Sequence, residues 1–108
     1  LLRARGFLLI VVTNQPDVAR GAQRREAIEE MHRWLFAQLP LDEILACYHD
    51  DADNCACRKP KPGMLADAAA RYGVDLGKSY MVGDRWRDID AGHAAGCISL
   101  LLDYGYTE

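Results

Sequence analysis

The sequence of 108 residues has no apolar run near the roughly 20 residues that cross a bilayer, which excludes a transmembrane helix within it. No secretory leader is visible at its start, and the first residue is Leu1 rather than methionine. Positive charge is not in excess: 13 Lys and Arg stand against 16 Asp and Glu, a net charge of −3. That balance removes the electrostatic footprint expected for a nucleic-acid partner or an anionic membrane surface. Repeats, low-complexity tracts and long linkers are missing, so the length predicts a single domain over 1–108 with a modest core. Cysteine is scarce, with four in all, and Cys47, Cys55 and Cys57 lie close together with His49 among them. Such clustering argues against a secreted disulfide framework and for metal, in a reducing, cytoplasmic compartment.

What is present alternates. Phe7–Val12 is a short, β-branched apolar run and reads as a strand buried on both faces. Residues 1–5 read as the tail of a helix closed by Gly6. Gln23–Gln38 is a charged amphipathic helix with Ala27, Met31, Trp34 and Leu35 on its inward stripe, stopped by Pro40. Ile44–Tyr48 is a second strand. Pro62-Gly63 opens a helix through about Arg71, with Gly73 as its closing signal. Ser79–Val82, Arg87–Ala95 closed by Gly96, and Ile98–Leu102 complete a strand, helix and strand. The order predicts an α/β fold with a parallel sheet between helix layers. Chemistry in such folds gathers beyond the C-terminal ends of the strands, which is where the polar signatures fall.

Four constellations stand at those ends. Cys47-Tyr48-His49 followed by Cys55-Ala56-Cys57 offers three thiolates and one imidazole, a set suited to a closed, structural zinc site in a loop over 47–57. The plainer alternative is ordinary reduced cysteines in a loop; Cys97 reads as plain core. Gly83-Asp84-Arg85-Trp86-Arg87-Asp88 sets a carboxylate at a strand end, fit for magnesium beside a phosphate, with Asp88 a helical turn further on. Its plainer alternative is that Asp84 caps the helix. Arg58-Lys59-Pro60-Lys61 offers phosphate-neutralising cations, or else a solvated basic loop. Thr13-Asn14-Gln15 offers a hydroxyl and backbone amides for a phosphoryl oxygen, or else a common turn.

A strand ending in Thr, then Lys-Pro, then a strand ending in Gly-Asp-x-x-x-Asp resembles the second to fourth motifs of the haloacid dehalogenase superfamily. The run from Thr13-Asn14-Gln15 through Ala19-Arg20-Gly21, the Cys/His pattern, CRKPKPGM and SYMVGDRWRDIDAG narrows it. It is similar to the zinc-containing phosphatase subgroup holding heptose 1,7-bisphosphate and histidinol-phosphate phosphatases, and Pro62-Gly63-Met64 leans toward the former. The resemblance implies a Rossmann-like core with magnesium and zinc as cofactors. It implies Thr13 on the phosphoryl oxygen, Lys59 neutralising nucleophile and phosphate, Asp84 on magnesium, and Asp88 orienting Lys59 or supporting the metal. Asn14, Arg58 and Arg85 would contact substrate, and Cys47, His49, Cys55 and Cys57 would hold zinc.

One family element is not found. The attacking aspartate belongs to an Asp-x-Asp at the end of an apolar strand. Asp51-Ala52-Asp53 falls in the metal loop and Asp88-Ile89-Asp90 in an expected helix. The expectation is therefore an N-terminally truncated core, lacking roughly 30–45 residues at common element lengths, and inactive alone. Smaller departures are Tyr48 where proline is usual, Pro16-Asp17 where Ser-Gly is usual, and Arg85 where lysine is frequent. The expected function is hydrolysis of the 7-phosphate of a heptose bisphosphate. The alternatives are histidinol phosphate as substrate, or a non-catalytic zinc-bearing binding module. A nucleic-acid finger is disfavoured by the acidic balance.

Overall fold

One carboxylate sets the register of the first strand pair. In the computed structural model, which describes residues 2–103, Asp42 Oδ2 accepts a hydrogen bond from the Leu9 amide at 2.7 Å. The Asp42 amide donates to Leu9 O at 2.8 Å, and Asp42 Oδ1 lies 3.2 Å from Arg3 Nη2. From that clasp run two parallel strands, β1 (Ile10–Asn14) and β2 (Glu43–Cys47), paired from Ile10 with Glu43 to Asn14 with Cys47. The register brings Thr13 and Asn14 to the same end of the pair as Cys47, ahead of the sequence that carries His49.

The chain divides into two units, Leu1–Asn54 and Cys55–Glu108. The first holds this pair, a short helix α1 (Pro16–Ala19) and a long one, α2 (Arg25–Gln38). Four expectations need correction there. The first strand begins at Ile10, because pairing starts only at the Asp42 clasp; Phe7 and Leu8 lie before it and are exposed. It is half-buried along its length rather than buried on both faces, since its sheet has two strands among the described residues. And the stripe of α2 holds only in part: Ala27 and Leu35 are half-buried as expected, but Met31 and Trp34 are 55% and 62% exposed, and Ile28, buried, and His32, half-buried, take their place. Burial lowers the His32 pKa below its ordinary value, with Glu29 opposing. The start of α2 also slips from Gln23 to Arg25, because the Gln23 side chain folds onto the Arg24 amide at 3.1 Å and Arg24 is extended. Gly6 closes a 3-10 turn (Arg3–Arg5) in the left-handed region, φ 88°, as its position suggested; Leu1 lies outside the described residues.

The second unit follows its expected order closely: α3 (Gly63–Tyr72), β3 (Tyr80–Gly83), α4 (Trp86–Ala95) and β4 (Ile98–Leu101). β3 and β4 are parallel, with Tyr80 opposite Ile98 and Gly83 opposite Leu101. Gly73 and Gly96 end the two helices with φ 66° and 87°. The α4 backbone lies directly on the strands at Gly92, where a Cβ would stand 2.3 Å from Ser99 Oγ and 2.7 Å from Met81 Cβ. Ser99 Oγ in turn donates to Ile89 O at 3.2 Å. Met64, Ala68, Met81, Ala91 and Cys97 are buried; burial raises the Cys97 thiol pKa, as a plain core cysteine requires. The single parallel sheet expected from sequence is thus seen as two parallel pairs, one per unit. No helix among the described residues is long and apolar enough to cross a membrane.

Candidate metal loop and phosphate site

Residues 47–57 fold back by ordinary local means. A 3-10 turn over Asp51–Asp53 is tied off by the Asp50 amide donating to Asp53 Oδ2 at 2.8 Å. Asn54 then takes φ 49°, the left-handed conformation that Asn tolerates better than most residues. This explains the five-residue spacer between His49 and Cys55. The reversal brings one ligand atom each from Cys47, His49, Cys55 and Cys57 within 4.8 Å of one another. Cys47 Sγ is 3.5 Å from His49 Nδ1, and Cys55 Sγ is 3.6 Å from Cys57 Sγ. Tetrahedral zinc with ordinary bond lengths sets edges of about 3.6 Å between sulfur and nitrogen and about 3.8 Å between sulfurs. The donor set and its spacing therefore fit zinc, and all four cysteines are free of disulfides. Cys47 is fully buried and His49 is exposed.

The loop's exit is tightly built. The Gly63 amide donates to Ala56 O at 3.0 Å, and a Cβ at Gly63 would fall 2.1 Å from that oxygen. Lys61 is exposed, as in the solvated alternative read from sequence, and its Nζ donates to Cys55 O at 2.7 Å. The Lys59-Pro60 peptide is cis.

Lys59 and Asp88, 29 positions apart, are brought together. Lys59 Nζ lies 2.5 Å from Asp88 Oδ1, with both side chains largely buried. The other carboxylate oxygen, Oδ2, accepts from the Arg85 amide at 3.3 Å. Asp88 thus satisfies the first turn of α4 from its third residue, and the residue in the N-cap position is Arg85. The plainer reading of Asp84 as the cap is corrected: Asp84 stands half-buried just beyond the end of β3. Gly83 is required by the same arrangement, since a Cβ there would meet the Asp88 side chain at 2.3–2.5 Å. Arg58 is buried at 8% exposure, whereas Arg85 is exposed. In the first unit Thr13 Oγ1 accepts from Gln15 Nε2 at 3.1 Å, and the Gln15 amide donates to Cys47 O at 2.7 Å. Asn14, the last residue of β1, is half-buried. Neither candidate Asp-x-Asp ends a strand: one forms the 3-10 turn of the metal loop, the other lies in α4.

Sequence reading named Gln15 without giving it a task and overlooked Asp50. Gln15 signals itself only through its distance from Thr13. Asp50 bonds residues 20 and 53, and no motif announces it.

The HAD-hydrolase-like family matches residues 56–108. The chain is 44% identical over 105 residues to the D-glycero-beta-D-manno-heptose-1,7-bisphosphate 7-phosphatase of Bordetella bronchiseptica, spanning 92% of this chain and 58% of that protein. Against the enzyme of the same name from Pseudomonas aeruginosa the identity is 40%, spanning 93% and 59%. The crystal structure of the D,D-heptose 1,7-bisphosphate phosphatase from B. bronchiseptica, complexed with magnesium and phosphate, superposes with a TM-score of 0.79 at 43% identity, covering 93% of this chain and 59% of that one. The chain therefore spans under three fifths of the length of these relatives.

Proposed function

We propose a function from one premise: the chain belongs to the haloacid dehalogenase-like hydrolases. The protein carrying it removes the 7-phosphate of a D-glycero-D-manno-heptose 1,7-bisphosphate, a small phosphorylated sugar. The observation that carries this reading is the largely buried Lys59–Asp88 pair, 2.5 Å across, beside a strand that ends at Gly83 with Asp84 next in sequence. A lysine held in place by a carboxylate is a fixed positive charge, which suits a transition state that spreads negative charge over phosphoryl oxygens.

The residues divide the work as follows. Asp88 orients Lys59, and Lys59 neutralises the phosphoryl group. Thr13 donates its hydroxyl to a phosphoryl oxygen, and Asn14, Arg58 and Arg85 contact substrate. Asp84 holds magnesium, which supplies positive charge to the phosphate when bound. Cys47, His49, Cys55 and Cys57 hold a structural zinc, supported by their spacing and by the lack of an open coordination position once all four bind. The attacking carboxylate is assigned to the part of the relatives' length that this chain does not span. A thiolate-rich metal set suits a reducing compartment, and on that ground we read the protein as cytoplasmic. We treat residues 1–108 as one domain of this fold.

The test is steady-state phosphate release by the whole protein, with magnesium, from the heptose bisphosphate and from histidinol phosphate. Preference for the sugar is expected. Equal, slow release from both would overturn the assignment. Asp84→Asn is expected to raise the magnesium concentration needed for half-maximal activity, and an unchanged requirement would remove Asp84 from the metal.

A further inference from the structure

Two arginines do work that neither the phosphate residues nor the metal set explains. From the last residue of β2 onward the residues alternate: Cys47 and His49 present ligand atoms to one another, while Tyr48 and Asp50 are each held by an arginine from residues 20–25. Arg20 donates through Nε and Nη2 to the two oxygens of Asp50, at 2.7 and 2.8 Å. Its Nη1 lies 3.8 Å from Asp17. Arg25 places its guanidinium 4.3 Å above the Tyr48 ring. Exposed ion pairs ordinarily contribute little, but this one has the two-point geometry that makes such pairs specific, and the Asp50 side chain is only 26% exposed.

The segment tied down by this pair is itself closed into a unit. The amides of Arg20, Gly21, Ala22 and Gln23 donate back to Pro16, Val18 and Asp17 carbonyls at 2.9–3.2 Å. At its other end, the Gln15 amide bonds Cys47 O. Residues 15–21 therefore hang from the arm 47–50 at both ends, and they continue directly from Thr13 and Asn14 at the strand end where ligands of such folds sit.

We propose that Arg20 is a positioning residue: through Asp50 it fixes the segment Gln15–Gly21 to the metal-ligand arm, so that filling the metal site orders the segment that faces substrate. Its effect on turnover rests on the phosphatase reading above; the tether itself does not. Because Arg20 acts on placement of the segment, its loss weakens substrate binding and leaves the chemical step alone.

The test uses the whole zinc-loaded protein and two readouts. Hydrogen exchange of the amides of residues 20–23, measured without substrate, should quicken about tenfold or more in Arg20→Ala and in Asp50→Ala, the range of a lost charge-assisted pair. The double variant should be no faster than either single one. Arg20→Lys, which keeps the charge and loses the fork, should fall between, and chelating the zinc from the unmodified protein should quicken the same amides. KM for the heptose bisphosphate should rise with kcat nearly unchanged. Unaltered exchange in Arg20→Ala, or single effects that add in the double variant, would overturn the tether. Quickened exchange in a protein that releases no phosphate from the sugar would sustain the tether and reject the phosphatase reading instead.

Discussion

The two units build the same motif, a parallel strand pair with chemistry at its C-terminal end, by different means. In the first, side-chain ties do most of the fixing: the Asp42 clasp, the Arg20–Asp50 fork and Arg25 over Tyr48. Ile28, Leu45 and Cys47 are its buried apolar residues. In the second, packing does it: α4 rests on Met81 and Ser99 at Gly92, and the Lys59–Asp88 pair near its strand end is largely buried. Ties between charged groups answer to salt, pH and metal, whereas close-packed contacts answer to volume. The lesson is that two strand pairs of one chain can differ in what they are sensitive to.

Four perturbations would break or sharpen that contrast. The largest effect should follow removal of the proposed zinc. Chelation, or Cys57→Ser, should release the amides of 47–57 and of 15–23 to exchange while those of α4 stay protected; uniform loss of protection would erase the distinction. Next, Asp88→Ala should cost about 3–5 kcal/mol in denaturant unfolding, because it strands a buried lysine charge and takes away the first-turn acceptor of α4. A loss under about 1 kcal/mol would mean that the pair is solvated, as surface pairs are. Third, Gly92→Val should cost about 1–3 kcal/mol by forcing a side chain against Met81 and Ser99, and it should disturb exchange in α4 without lowering zinc content. Smallest is a pH effect in the first unit. Burial holds the folded-state pKa of His32 below its unfolded value of 6.5. The neutral ring is favoured in the fold, so stability is full above 6.5 and declines as pH falls through the folded value. His32→Gln should flatten that part of a stability–pH curve, and an unchanged slope would show that another group sets it.

Much of this was legible in the sequence, and the reasons differ by element. Gly6, Gly73 and Gly96 each close an element in the left-handed conformation expected of them, because that requirement is local to one residue. The elements of the second unit were found to within a residue or two, since helix and strand there alternate with clear closing signals. The stripe of α2 is legible only at Ala27 and Leu35, because Met31 and Trp34 are apolar enough to suggest a core, while the inward face includes a histidine. Hydrophobicity alone does not choose between two faces rotated by one residue. The start of β1 was misplaced because Asp42, 33 positions from Leu9, decides where pairing begins. For the site, the Cys/His set was readable because four ligands sit within one loop. The meeting of Lys59 with Asp88 was only half readable, as family order implied it. Nothing local announces the fork between Arg20 and Asp50.

Asp88 holds two commitments with its two oxygens, one to the lysine and one to an amide in the first turn of its own helix. A position so engaged admits a vocabulary of one. Asparagine would keep the amide's acceptor and turn an NH2 toward the lysine. Glutamate would be one methylene too long for a carboxylate already in contact with the neighbouring glycine position. Exhaustive substitution at Asp88 should therefore return a single tolerated letter, and Gly83 should return another, each dictated by the other.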